Sequence, residues 1–136
     1  MIYITEAPIN TQEVIKAAQS DSAGAVNVFI GTVRNKTSER DVLRLEYEAY
    51  DAMAVKEMGK IIEQAKEKWA VQKYGIVHRK GILALGDIAV VVAISSPHRL
   101  ASFQACQFVI DTLKETVPIW KKEVFKDGET WVSAHP

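Results

Sequence analysis

Cations gather where a helix should begin. Ser96-Pro97-His98-Arg99 precedes an amphipathic run ending at Leu113-Lys114, and Val117-Pro118-Ile119-Trp120-Lys121-Lys122-Glu123 follows it. Ser96 reads as an N-cap and Pro97 as the first helical residue, where its missing N–H costs nothing. Free N–H groups and the macrodipole already make a helix N-terminus positive, so that end favours Asp and Glu. His98 and Arg99 oppose the dipole unless an anion lies between them, and helix N-termini bind anions readily. The plainer alternative pairs Arg99 with a surface carboxylate and packs His98 at a core edge.

Lys114 is the second anomaly. On a helix over 97–116, Leu100, Phe103, Gln107, Ile110, Lys114 and Val117 share one stripe, which puts an ammonium on the apolar face. A lysine can also snorkel there, its charge matched to the helix C-terminus. Beyond Pro118, Lys121 and Lys122 project to opposite faces of a short strand, and one of them can turn back toward Lys114. Two partly desolvated ammonium groups lower one another's pKa and favour an amine that moves protons or attacks as a nucleophile. An edge strand guarded by lysines is the competing account. Arg34 ends an apolar strand, where side chains reach a site edge. Phe29 and Trp120 offer flat walls for a planar ring, or serve as core. His78-Arg79 closes another strand and reads as hairpin architecture.

Other chemistries find no support. His78, His98 and His135 show no metal-ligand spacing, and there is no Gly-rich phosphate loop or Ser/His/Asp set. No metal or cofactor is expected. Cys106, the single cysteine, falls near the apolar stripe of its helix and reads as a buried, inert thiol. Any sulfur chemistry must use sulfur that arrives on something else. Seventeen basic residues balance seventeen acidic ones, against a general nucleic-acid binder. No apolar run approaches the roughly 20 residues that span a bilayer. Met1-Ile2-Tyr3-Ile4-Thr5-Glu6 lacks the features of a signal peptide, so a cytoplasmic protein is expected.

These side chains need a scaffold, and 136 residues read as one domain over 1–136. Strands are expected at 2–5, 24–34, 42–50, 71–79, 82–85 and 88–95, with a hairpin of 119–125 and 130–134 around Lys126-Asp127-Gly128-Glu129. Residues 24–34 are apolar on both faces, as a central buried strand would be. Between 42 and 50, Leu43, Leu45, Tyr47 and Ala49 alternate with charge. Helices are expected from Asn10 or Thr11 to about 19, over 51–70, and over 97–116. Gly86-Asp87 is a turn between paired strands. This order gives an α+β fold: a largely antiparallel sheet, three main helices packed on it, and a C-terminal hairpin.

Nearly the whole chain resembles the large, catalytic subunit of molybdopterin synthases. The landmarks are Gly24-Ala25-Val26, Phe29-Ile30-Gly31-Thr32-Val33-Arg34-Asn35, Leu45-Glu46-Tyr47-Glu48-Ala49-Tyr50 and Val77-His78-Arg79-Lys80-Gly81, with Leu83 and Gly86-Asp87. Ser96-Pro97-His98-Arg99, Phe103-Gln104-Ala105, Phe108, Asp111-Thr112-Leu113-Lys114, Pro118 to Glu123 and Trp131-Val132 continue the match. The resemblance implies a sulfurtransferase that adds two sulfurs to cyclic pyranopterin monophosphate, in molybdenum cofactor biosynthesis. It implies a small ubiquitin-like carrier with a C-terminal Gly-Gly thiocarboxylate as sulfur donor, and a homodimer with a carrier at each end, a heterotetramer. By motif, Thr32, Val33, Arg34, His98, Arg99, Lys114, Lys121, Lys122 and Glu123 fall at substrate-binding positions, with Lys114 and Lys121 as the essential lysines. The family has an arginine a few residues past Trp131-Val132; here His135 stands near that place. A competing function of another class is a non-enzymatic module that binds a phosphate or nucleotide through His98 and Arg99.

Overall fold

The computed structural model describes residues 1–133, Trp131 to Ser133 by their backbone alone. In chain order the elements are β1 (Ile2–Thr5), α1 (Thr11–Ala18), β2 (Ala25–Thr32), β3 (Lys36–Thr37), β4 (Arg40–Ala49), α2 (Asp51–Lys68), β5 (Tyr74–Arg79), β6 (Gly81–Ala84), β7 (Ile88–Ser96), α3 (Arg99–Thr116), β8 (Ile119–Phe125) and β9 (Gly128–Ser133). The fold is α+β with three helices and a C-terminal β8–β9 hairpin. Its strands divide between two sheets. One runs β1-β5-β7-β2, with only β1 and β5 parallel; the other runs β3-β4-β8-β9, with β6 also on β4. No helix among the described residues is long and apolar enough to cross a membrane.

Strand parity divides the four-stranded sheet. Val77, Val91 and Ala93 face α1 and pack with Val14 and Ala18. Ile76, Val92 and Ile94 face the other way, into the larger core with Met58 and Ile62 of α2 and Leu113 of α3. With a period of two, His78 shares the second face. Of the two candidates at the start of α1, Asn10 is the cap, its Oδ1 accepting from Glu13 N at 3.3 Å, and Thr11 is the first helical residue.

Several expectations need correction. β2 is an edge strand, and β7 is the central buried one. Val26 and Ile30 on β2 are about two-fifths exposed; apolar composition cannot distinguish a face covered by its own chain from an open one. Gly86-Asp87 joins β6 and β7, which lie in different sheets, so the turn is a crossover and not a hairpin. In β4 the register slips between Val42 and Arg44, so Leu43 is the extra residue and points outward while Val42 is buried.

The last helix also differs. Ser96 still belongs to β7, its Oγ–H donating to His98 O, and α3 starts at Arg99 with His98 as N-cap. Its buried residues are Ser102, Ala105, Cys106, Val109, Ile110 and Leu113. Small side chains there let α3 lie close on β2 and β7, whereas Leu100 and Phe103 are 65% and 58% exposed. The expected stripe was one face off, and Lys114 lies at its solvent boundary. Cys106 is buried against Val92 O, and burial pushes its thiol up to about 11, an inert group.

Candidate active site

Cross-strand partners share a face, so pairing decides which side chains meet. On β4 and β8, Tyr47 lies opposite Lys121 and Leu45 opposite Glu123. In the other sheet Val90 of β7 is flanked by Gly31 of β2 and His78 of β5. Between these two faces and the end of α3 opens a cavity of about 320 Å³. Phe29, Thr32, Arg34, Lys114, Lys121 and Glu123 all line it. All six are residues that the sequence singles out, and three separate segments bring them together.

The cavity is polarised. Arg34 and Lys114 are exposed at its mouth, and Lys121 is half-buried behind them. At the inner end Glu123, His78 and Tyr47 are 3%, 2% and 8% exposed. Lys121 Nζ approaches Glu123 Oε1 at 3.6 Å, while Oε2 is buried without a hydrogen-bond partner. Burial, then the nearby Glu123 charge, pushes the Tyr47 phenol up to about 12, so it keeps its proton. His78 Nδ1 lies 2.8 Å from Arg79 O. A carbonyl can only accept, so Nδ1 carries the hydrogen and Nε2 the lone pair. Burial pushes the imidazole down to about 4; the bond to Arg79 opposes this and the Lys114 charge adds to it. His78 is therefore neutral at physiological pH, its ring 5.0 Å from Tyr47 in edge-on contact.

Other expected site residues lie elsewhere. Val33 is core, its backbone bonded to Gly86 and Asp87. Lys122 points away from the cavity, 3.9 Å from both Glu46 and Glu129. Trp120 packs against Tyr50 at 5.4 Å beside a separate notch. His98 and Arg99 are exposed at the far end of α3, outside the cavity. His135 lies outside the described residues. Conversely, His78 and Tyr47 went unrecognised as site residues. A period of two from buried Ile76 was the available signal for His78, and alternation had already turned Tyr47 inward.

A family model described as MoaE protein matches residues 4–116. The chain belongs to the MoaE family. It is 48% identical over 129 residues to the "Molybdopterin synthase catalytic subunit" of Bacillus subtilis (strain 168), covering 95% of this chain and 82% of that protein. The crystal structure of molybdopterin synthase from Staphylococcus aureus superposes with a TM-score of 0.92 at 42% identity, covering 96% of each chain. A chain from a complex of subunits 1 and 2 of molybdopterin-converting factor from Helicobacter pylori 26695 gives a TM-score of 0.79 over 99% of this chain and 93% of that one. At 23% identity that likeness is one of fold. Membership in this family makes the chain a molybdopterin synthase catalytic subunit, an enzyme of molybdenum cofactor biosynthesis. A non-enzymatic phosphate- or nucleotide-binding module finds no support among these relatives.

Proposed function

We propose that the cavity holds cyclic pyranopterin monophosphate beside the extended C-terminal Gly-Gly tail of a small sulfur-carrier protein, and transfers two sulfurs from carrier thiocarboxylates to the pterin. The observation behind this reading is the convergence of Arg34, Lys114 and Lys121 on one cavity. A tail carboxylate and a phosphate ester are both anions, and bringing them together requires that much positive charge. Each thiocarboxylate sulfur attacks a side-chain carbon of the pterin as a carbon–oxygen bond there breaks and its oxygen takes up a proton; water then cleaves the acyl–sulfur bond, leaving sulfur on the pterin and a carboxylate on the carrier. Lys114 and Lys121 orient the tail, stabilise the tetrahedral oxyanion and exchange protons with it. Cys106, on the buried face of α3 and inert, supplies no sulfur. The Helicobacter pylori relative was solved as a complex of two subunits, which agrees with a carrier partner. We place the enzyme in the cytoplasm.

Arg99 and Lys114 stand fifteen positions apart on α3, about 22 Å at roughly 1.5 Å per residue. One pterin monophosphate cannot reach both ends of that helix. A two-fold dimer resolves this, with His98 and Arg99 of one copy completing the pocket of the other. Open apolar side chains on β2 and on the outer face of α3 favour such a pairing.

The test is mass spectrometry of the pterin product after mixing the chain with a thiocarboxylated carrier. Dithiolene product is expected from the wild type. Lys114→Ala should lower turnover at least about a hundredfold with little change in melting temperature, because the side chain is exposed. Normal turnover in a folded variant overturns the role given to Lys114.

A further inference from the structure

Two acceptors at the inner end of the cavity lack a partner among the described residues. Glu123 Oε2 is one, a buried carboxylate oxygen without a donor. His78 Nε2 is the other. Its sister Nδ1 has committed the ring's hydrogen to Arg79 O, and His78 lines the cavity with no further hydrogen bond. Tyr47 links the two, in edge contact with the imidazole and near enough to Glu123 to feel its charge. For Glu123 Oε2, buried without a donor, this lack is costly unless a bound molecule donates to it, and His78 belongs to the cavity lining, where the same molecule can reach its ring.

The mouth holds donors. Arg34 and Lys114 there, with Lys121 between them and Glu123, offer only N–H groups, and only to something that accepts. A ligand matching both ends must present N–H donors on one edge and an anion on the other. A reduced pterin carrying a phosphate has that form: an amino group and ring N–H groups on the pyrimidine edge, and the phosphate on the tricycle's far side.

With the cavity taken as the pterin site, we infer that His78 Nε2, beside Glu123 Oε2, accepts a hydrogen bond from the N–H edge of the bound pterin. His78 is thus a specificity-determining residue that fixes which end of the substrate enters first. A protonated imidazole would repel that edge. Burial keeps the ring neutral, so the acceptor is present throughout the physiological range.

Two variants remove the acceptor from the Nε2 position while damaging the surroundings differently. His78→Phe keeps a flat ring but loses the bond to Arg79 O; His78→Asn can keep that bond, but its remaining amide oxygen stops short of where Nε2 stood. Affinity is measured calorimetrically for cyclic pyranopterin monophosphate and for a pterin-free alkyl phosphate. Both variants should weaken the pterin about tenfold and leave the alkyl phosphate unchanged, whereas Arg34→Ala should weaken both. In the wild-type chain, the nitrogen NMR signal of His78 Nε2 should move on adding the pterin and stay put with alkyl phosphate. That readout requires no variant to fold. Unchanged pterin affinity in a folded variant, equal loss for both probes, or an unmoved Nε2 signal in pterin-saturated wild type each overturns the inference. A wild-type chain that binds no pterin overturns the reading of the cavity itself.

Discussion

Acid should destabilise this protein through His78. The imidazole falls from an ordinary 6.5 to about 4 in the folded chain, chiefly through burial. The native state therefore refuses a proton that the unfolded chain accepts. Above pH 6.5 both states are neutral and the group contributes nothing to the pH dependence. As pH falls, the unfolded state binds the proton first and gains stability at up to about 1.4 kcal/mol per pH unit. The full loss is roughly 3 kcal/mol once pH passes the folded value, and about 2 kcal/mol is already lost between pH 7 and pH 5. That is a sizeable share of the roughly 5–15 kcal/mol typical of a domain. Asp41 and Asp127 titrate below this window, held down by hydrogen bonds from Lys36 and Arg40. Urea unfolding of wild type and His78→Asn at a series of pH values measures the effect. The wild type should show the slope, and the variant, though less stable overall, should show a flatter one. Equal slopes, or a wild type whose stability does not change from pH 7 to pH 5, would refute a neutral buried imidazole.

The dimer and two glycines give three further expected outcomes. Mixing inactive Arg99→Ala with inactive Lys114→Ala chains, with subunit exchange verified, should restore activity because each mixed dimer holds one intact site; no recovery rules out the shared site. A Cβ on Gly24 would sit 2.4 Å from Pro97 O, a backbone atom. Gly24→Ala should therefore cost about 1–3 kcal/mol in denaturant unfolding, and unchanged stability contradicts that contact. A Cβ on Gly31 would meet Val90 Cγ1 at 2.7 Å and Phe29 Cε1 at 3.3 Å, both on cavity-lining side chains. Gly31→Ala should raise KM for the pterin more than it lowers kcat, and the reverse split in steady-state kinetics would show the cavity wall had not moved.

Legibility in the sequence followed how local each signal was. The N-terminus of α1 at 10–11, the span of α2 and the β8–β9 hairpin depend on residues a few positions apart, and all three are readable. The place of β2 depends on β7, more than fifty residues later, so its composition alone suggested a centre where the structure has an edge. On α3, two neighbouring faces both carry apolar side chains. The small residues Ser102, Ala105 and Cys106 decide which one packs, a matter of closeness rather than hydrophobicity. The cavity's cations stood out because charge near an apolar stripe is conspicuous. His78 did not, because one histidine in a buried strand looks like core until the facing sheet is known.

The cavity sits at a seam, and the seam explains its chemistry. Tyr47, Lys121 and Glu123 belong to one sheet, His78 and Phe29 to the other, and Lys114 to the helix closing the gap. Neither sheet alone encloses the cavity: Lys121 and Glu123 come from one, Phe29 and the His78 imidazole from the other, so the pocket exists only when the two pack together. Phe29 carries this further. It lines the cavity and also a shallow groove on the outer side of the β2–α3 layer, beside Phe103 and Gln107. In the proposed dimer, a second copy seated on β2 and α3 would press on the wall of the first copy's pocket as well as bring His98 and Arg99 to it. Side chains left open on β2 and α3 then have a physical reason to stay apolar. Covering them would fix the Phe29 ring in the cavity wall, so that assembly and the proposed pterin site would be coupled through one side chain.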